Sequence, residues 1–302
     1  MSLVILLAAA LLLVGAIAGL PRWRAWRRKA WASRPFPSAW RDILRRRVPL
    51  YRQLPPDLQQ QLRRRILEFL AEKPLLGCAG LVVTDEMRVT IAAQASLLRL
   101  NRDGPMFPEL RQVLVYPGAF LVDRVHASPG GVLREERRAL AGESWQQGQV
   151  ILSWQDVLDG ARIPDDGHNV VIHEFAHQLD QETGPANGAP LLGSRAAHAR
   201  WAGVMSREFA GLQARVRARD AARARAQAEW SWFGASPEAP PAPPPDDLIS
   251  DYGATNEAEF FAVVTEVFFE QPGALAQRHP DLFALLRDYF RVDPREWHPS
   301  MH

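Results

Sequence analysis

His173, Glu174 and His177 stand in the order His-Glu-Phe-Ala-His. On an α-helix, residues four apart share a face, so both imidazoles can reach one metal ion. The glutamate is turned about 100° from the first histidine, where it can reach a water on that metal. Two nitrogen ligands, an open coordination position and a carboxylate base are the parts of a zinc hydrolase. An amphipathic helix with two solvated histidines has the same spacing, so the flanking residues matter. Asp165-Asp166-Gly167-His168-Asn169 is polar and turn-prone, with Asn169 placed as an N-cap. Val171, Ile172, Phe175, Ala176 and Leu179 then recur at helical spacing as an apolar face. His173, His177 and Asp180 fall on a different face. Thr183-Gly184-Pro185 is expected to end the helix, with glycine at C′ and proline as the stop.

A catalytic zinc needs a third protein ligand. The spacing predicts a second helix from about Asn256 to Glu270, stopped by Pro272-Gly273. Its acids are Glu257, Glu259, Glu266 and Glu270, set among Phe260, Phe261, Val264, Val267 and Phe268. A carboxylate among so many apolar groups is costly unless it is paired or bound to metal. Asn256 lies three residues before Glu259, which also fits a capping box. Periodicity alone leaves Glu257, Glu259 and Glu266 open as the ligand. Asp180 and Glu266 are candidates to accept the outer N–H of a ligand imidazole, with helix capping or surface exposure as equal alternatives.

Two blocks, His173-Glu174-Phe175-Ala176-His177-Gln178-Leu179-Asp180 and Tyr252-Gly253-Ala254-Thr255-Asn256-Glu257-Ala258-Glu259-Phe260-Phe261-Ala262-Val263, resemble the Mlc titration factor A family of zinc metallopeptidases. They are also similar to the catalytic domain of anthrax lethal factor. The resemblance covers roughly residues 50–302. It implies a mostly helical α+β fold with a gluzincin-like core: a small sheet packed on the motif helix, and a second helix donating a glutamate. It further implies one zinc ion per chain, held by His173, His177 and Glu259, with Tyr252 pointing into the site. Glu174 would then act as general base on the metal's water, and Tyr252 could donate to the oxyanion. A partner like the repressor Mlc is a further implication. Two features depart from the soluble members of the family, the apparent membrane anchor and a long insertion over residues 213–247.

The anchor is Leu3 to Leu20, 18 residues without a charge, just long enough to span a bilayer as a helix. Arg22, Arg24, Arg27, Arg28 and Lys29 follow, interleaved with Trp23, Trp26 and Trp31. Basic residues mark the cytoplasmic end of a span, and tryptophans favour the interface. The expected arrangement is a single-pass anchor over residues 1–20 in the inner membrane, with the catalytic domain cytoplasmic. A cleaved signal peptide fits less well, because positive charge lies after the apolar run and none before it. Residues 21–48 hold 10 of the 36 Lys and Arg and one of the 34 acids, so the net +2 divides into +9 there and −7 elsewhere. The basic character belongs to one juxtamembrane linker, which argues against direct nucleic-acid binding.

The globular part is expected over residues 49–302, long enough for a sizeable core. A lone cysteine, Cys78, excludes an internal disulfide and thiolate zinc sites, and is expected to be a small core residue. Helices are predicted after Pro55-Pro56, over Thr84 to Leu100, and from His198 to Leu212 with an Ala/Arg-rich continuation to residue 232. Residues 237–245 are a proline-rich tether. Gln112–Tyr116 and Gly148–Trp154 read as strands, with a surface loop or hairpin around Arg134–Arg138 between them. The strand from Gln149 to Trp154 could take an extended substrate as an added edge strand, or be a plain core strand.

These residues support two classes of function. One is a membrane-anchored zinc peptidase acting on a peptide or protein substrate. The other is a membrane-tethered binding protein that sequesters a cytoplasmic transcription factor, with hydrolysis secondary.

Overall fold

The computed structural model describes residues 33–118, 120–127, 133–140, 142–145, 148–232 and 248–297, with a few isolated positions before residue 33; over 120–145 and 226–232 it describes backbone alone. The fold is mostly helical around a small, largely parallel sheet. In chain order come α1 (Ser38–Arg47), α2 (Leu50–Gln53), α3 (Pro56–Glu72), β1 (Leu75–Gly77), α4 (Asp85–Leu97), β2 (Gln112–Tyr116), β3 (Phe120–Ala127), β4 (Leu133–Leu140), β5 (Gly142–Trp145), β6 (Gln149–Ser153), α5 (Trp154–Arg162), α6 (Val170–Asp180), α7 (Arg195–Trp232), α8 (Glu257–Glu270), α9 (Pro272–Arg278) and α10 (Pro280–Phe290).

The sheet order is β1-β2-β6-β5. β1, β2 and β6 run parallel, with Leu75 opposite Val113 and Val113 opposite Val150. β5 runs antiparallel to β6, with Trp145 opposite Gln149. The strand from Gln149 is therefore interior, bonded on both sides, and cannot take a further strand. Among the described residues the edge strand on that side is β5, four residues long. The charged stretch around Arg134–Arg138 lies in a separate hairpin, β3–β4.

The core is built on three helices without a wholly polar face. α4 buries every residue from Val89 to Leu97, and its alanines allow close approach on all sides. α8 buries every residue from Phe260 to Glu270. α6 buries the whole apolar face expected of it and lies against α8, α4, β5 and β6. Phe175 of α6 sits between Phe69 and Phe107, at ring separations of 5.6 and 4.8 Å. Fully buried aromatic rings of this kind are each worth roughly 3–5 kcal/mol against truncation to alanine.

Two boundaries and the burial of one residue differ from the sequence reading. The folded part begins by Ser38 rather than Pro49, because α1 buries Ile43 and Leu44 against α4. Arg47 also meets Glu86 at 2.6 Å, in the first turn of α4. α6 ends at Asp180 and passes into a 3-10 turn over Gln181–Thr183 before Gly184. Cys78 is half-buried rather than core. The Ala/Arg-rich continuation is part of one long helix, α7, while residues 233–247, with the proline-rich tether, lie outside the described residues. The proposed span Leu3–Leu20 also lies outside them, apart from Ile5 and Gly19. Among the described residues no helix is long and apolar enough to cross a membrane.

Candidate metal centre

α6 begins where Asn169 caps it, its Oδ1 accepting the N–H of Ile172 at 3.0 Å. From that start the helical period sends Phe175 and its apolar neighbours into the core. His173 and His177 are left on the side facing α8, with ring centroids 5.0 Å apart. α8 starts in the same way. Asn256 Oδ1 accepts the N–H of Glu259 at 2.9 Å. The backbone of Glu259 is thus capped, as a capping box would have it, but its carboxylate does not fold back onto Asn256. Oε2 of Glu259 lies 3.1 Å from His173 Nε2 and 3.3 Å from His177 Nε2. One ligand atom from each of His173, His177 and Glu259 falls within a 4.8 Å cluster. Glu257 is exposed, and Glu266 serves another purpose, so tertiary packing selects among the three acids that periodicity left open.

Glu266 sits behind His173. Its Oε1 lies 2.7 Å from His173 Nδ1, and its Oε2 accepts the backbone N–H of Asn169 at 2.5 Å. Asn169 in turn donates from Nδ2 to Glu270 Oε1 at 3.0 Å and to the carbonyl of Gly160 at 3.2 Å. The N-cap of the metal helix therefore also braces the residue that orients its first histidine. Sequence reasoning placed Asn169 only as a cap and gave Glu270 no role. An acid at the end of a helix otherwise dense in Phe and Val was the available signal.

Burial disfavours a charged His173 ring. Hydrogen bonds to Glu259 and Glu266, with the charges of Glu266 and Glu174, outweigh it and push the pKa up to about 10. Burial likewise opposes ionisation of Glu259, yet its hydrogen bonds to His173 and His177 and their charges hold it well below the usual carboxylate range. The pocket is thus strongly anionic and is organised to hold positive charge. A dication suits it: two imidazole nitrogens and a carboxylate oxygen are a zinc-type donor set that leaves one position open. Glu266 as acceptor favours the proton on Nδ1 of His173, so that a dication replacing the proton on Nε2 would find that nitrogen turned toward the ligand cluster.

Glu174 is 2% exposed and close enough for its charge to act on His173. Tyr252 lies in the 3-10 turn Asp251–Ala254, 47% exposed, with its ring 5.8 Å from that of His173. It stands at the mouth of the site. Asp180 does not orient an imidazole. It is fully buried, and its Oδ2 accepts the N–H of Gly188 at 2.7 Å, so it ties the 187–189 loop to α6. Burial raises its pKa against those backbone hydrogen bonds.

A small sheet, a motif helix with two inward histidines and a facing helix with an inward glutamate define a metallopeptidase-type protein. The chain belongs to the M90 family: the model described as "Glucose-regulated metallo-peptidase M90" matches residues 23–291. It is 40% identical over 287 residues to an uncharacterized protein of Synechocystis sp., covering 94% of this chain and 95% of that one. It is 31% identical over 255 residues to Mlc titration factor A of Pectobacterium atrosepticum, covering 82% and 84% of the two chains. The corresponding protein of Klebsiella pneumoniae is 32% identical over 248 residues, with the same coverage.

Proposed function

We propose that the protein is a zinc-dependent peptidase with His173, His177 and Glu259 as ligands and Glu174 as general base. The observation that carries this reading is the convergence of the three ligand atoms within 4.8 Å beside the buried Glu174. Zinc, when bound, supplies a Lewis acid that polarises the scissile carbonyl and acidifies a water. Glu174 would accept a proton from the attacking water and pass it to the leaving amine. Tyr252, at the mouth, donates a hydrogen bond to the oxygen on which negative charge develops. Glu266 keeps His173 in one tautomer throughout. The edge strand β5 offers backbone groups to an extended substrate next to α6. The Leu3–Leu20 run and the basic, Trp-rich segment after it support an inner-membrane anchor with this domain on the cytoplasmic side.

The name of the relatives supports a second reading, capture of a Mlc-like transcriptional repressor with hydrolysis secondary. One experiment separates the two. Zinc content and peptide hydrolysis are measured on the wild type, Glu174→Gln and Glu259→Ala. The peptidase reading expects one zinc per wild-type chain, zinc kept but hydrolysis lost in Glu174→Gln, and zinc binding weakened in Glu259→Ala. Zinc without hydrolysis in the wild type moves the function to capture. A folded protein that takes no zinc sinks the ligand assignment and with it the peptidase reading.

A further inference from the structure

A cavity of about 310 Å³ lies away from the metal ligands, within the size range of small-molecule sites. Its lining includes Leu191, Leu192, Trp201 of α7, Leu285, Asp103 and Arg291. Three of its charged groups are engaged. Arg200 pairs with Asp288 at 2.6 Å, and Arg102 donates to the carbonyl of Tyr289 at 2.6 Å while lying over that ring. Arg291 and Asp103 are exposed, and among the described residues neither side chain has a hydrogen-bond or ion-pair partner. Arg291 closes α10 at φ 58, in the left-handed region where glycine or asparagine is favoured.

We propose that this cavity is a second ligand site, for a free apolar α-amino acid. Its carboxylate meets Arg291, its ammonium meets Asp103, and its side chain covers Leu191, which is 54% exposed, together with Leu192 and Leu285. A purely anionic ligand would leave Asp103 opposing it, and a purely apolar one would cover two charges without partners.

The cavity wall is continuous with both ligand-bearing helices through Gly188. The N–H of Gly188 goes to Asp180 Oδ2 and its carbonyl accepts Trp201 Nε1–H, each at 2.7 Å. It packs so closely on Glu257 that a Cβ would lie 2.5 Å from the carbonyl oxygen of that residue. Asp180 follows His177 on α6, and Glu257 precedes Glu259 on α8. A ligand that draws Leu191, Leu192 and Trp201 together therefore bears on the metal centre, and the effect is reciprocal. This coupling, unlike the cavity assignment, rests on the zinc reading of the first site.

The test is calorimetric titration of L-leucine into the chelator-treated full chain. Saturable binding is expected, weakened tenfold or more by Arg291→Ala and by Asp103→Asn, and retained in Glu259→Ala. N-acetyl-leucine, which lacks the ammonium, and leucinamide, which lacks the carboxylate, should each bind at least tenfold more weakly. No binding, or binding lost in Glu259→Ala and kept in Arg291→Ala, overturns the assignment. In the second arm, saturating leucine should change the zinc affinity of the wild type threefold or more and leave that of Arg291→Ala unaltered. Equal zinc affinities with and without leucine overturn the coupling. A chain that binds leucine but no zinc would sink the zinc reading and leave the cavity site standing.

Discussion

Oε1 of Glu266 lies 2.7 Å from Nδ1 of His173, while its other oxygen holds the backbone N–H of Asn169, four residues earlier on the same chain segment. One carboxylate thus sets both the start of the metal helix and the tautomer of its first histidine. Glu266→Ala removes the acceptor and frees the ring to rotate. Zinc affinity should fall about 10- to 100-fold, read by competition with a chelator of known affinity. An unchanged affinity would mean that ring packing alone orients His173.

Glu270 makes stability depend on pH in an unusual direction. Burial, reinforced by the charges of Asp166 and Glu266 and only partly offset by Asn169, pushes its pKa up to about 9 from 4.5. Between those two values the folded chain holds a proton that the unfolded chain has released. Stability from this group is therefore full below about pH 4.5 and declines as pH rises through about 9. Glu270→Gln keeps a neutral group of the same shape and removes that decline. It should be more stable than wild type by ~1–3 kcal/mol at pH 8, and the difference should vanish near pH 4. Urea unfolding of both proteins across this range decides it, and parallel pH profiles would contradict the assignment.

Tyr252 is 47% exposed in the short turn before α8. Tyr252→Phe should leave zinc content and melting temperature unchanged and lower kcat on a peptide about 10- to 100-fold or more, with little change in KM. A loss confined to KM would assign the ring to substrate packing instead.

Gly188 has a positive φ of 76, and a Cβ there meets backbone rather than a movable side chain. Gly188→Ala should destabilise the fold by about 2 kcal/mol or more. Because Asp180 and Glu257 both border this residue, zinc affinity should fall as well. Chemical denaturation and metal competition on one sample test the two effects together; full stability with normal zinc binding would show that the loop moves freely.

Features set by near neighbours in the chain were legible without the fold. The helical frame of His173, Glu174 and His177, the Asn169 and Asn256 caps, and the strands at 112–116 and 149–153 all follow from side-chain period and backbone hydrogen-bonding needs within a few residues. Local reasoning could not choose among Glu257, Glu259 and Glu266, because the need for a third ligand fixes the kind of residue and not its distance along the chain from the motif. The resemblance of the second block pointed to Glu259. Only the packing of α6 on α8 puts that carboxylate against both imidazoles, turns Glu266 to the far side of His173 and leaves Glu257 exposed. The same holds for Asp180, four residues before a turn that brings Gly188 back onto it, and for β6, made interior by a β5 strand whose pairing no period foretells. These outcomes belong to tertiary structure because they depend on which of several equivalent faces meets a neighbour, and that is decided by the summed burial of Phe175, Phe260, Phe261 and the rest of the core.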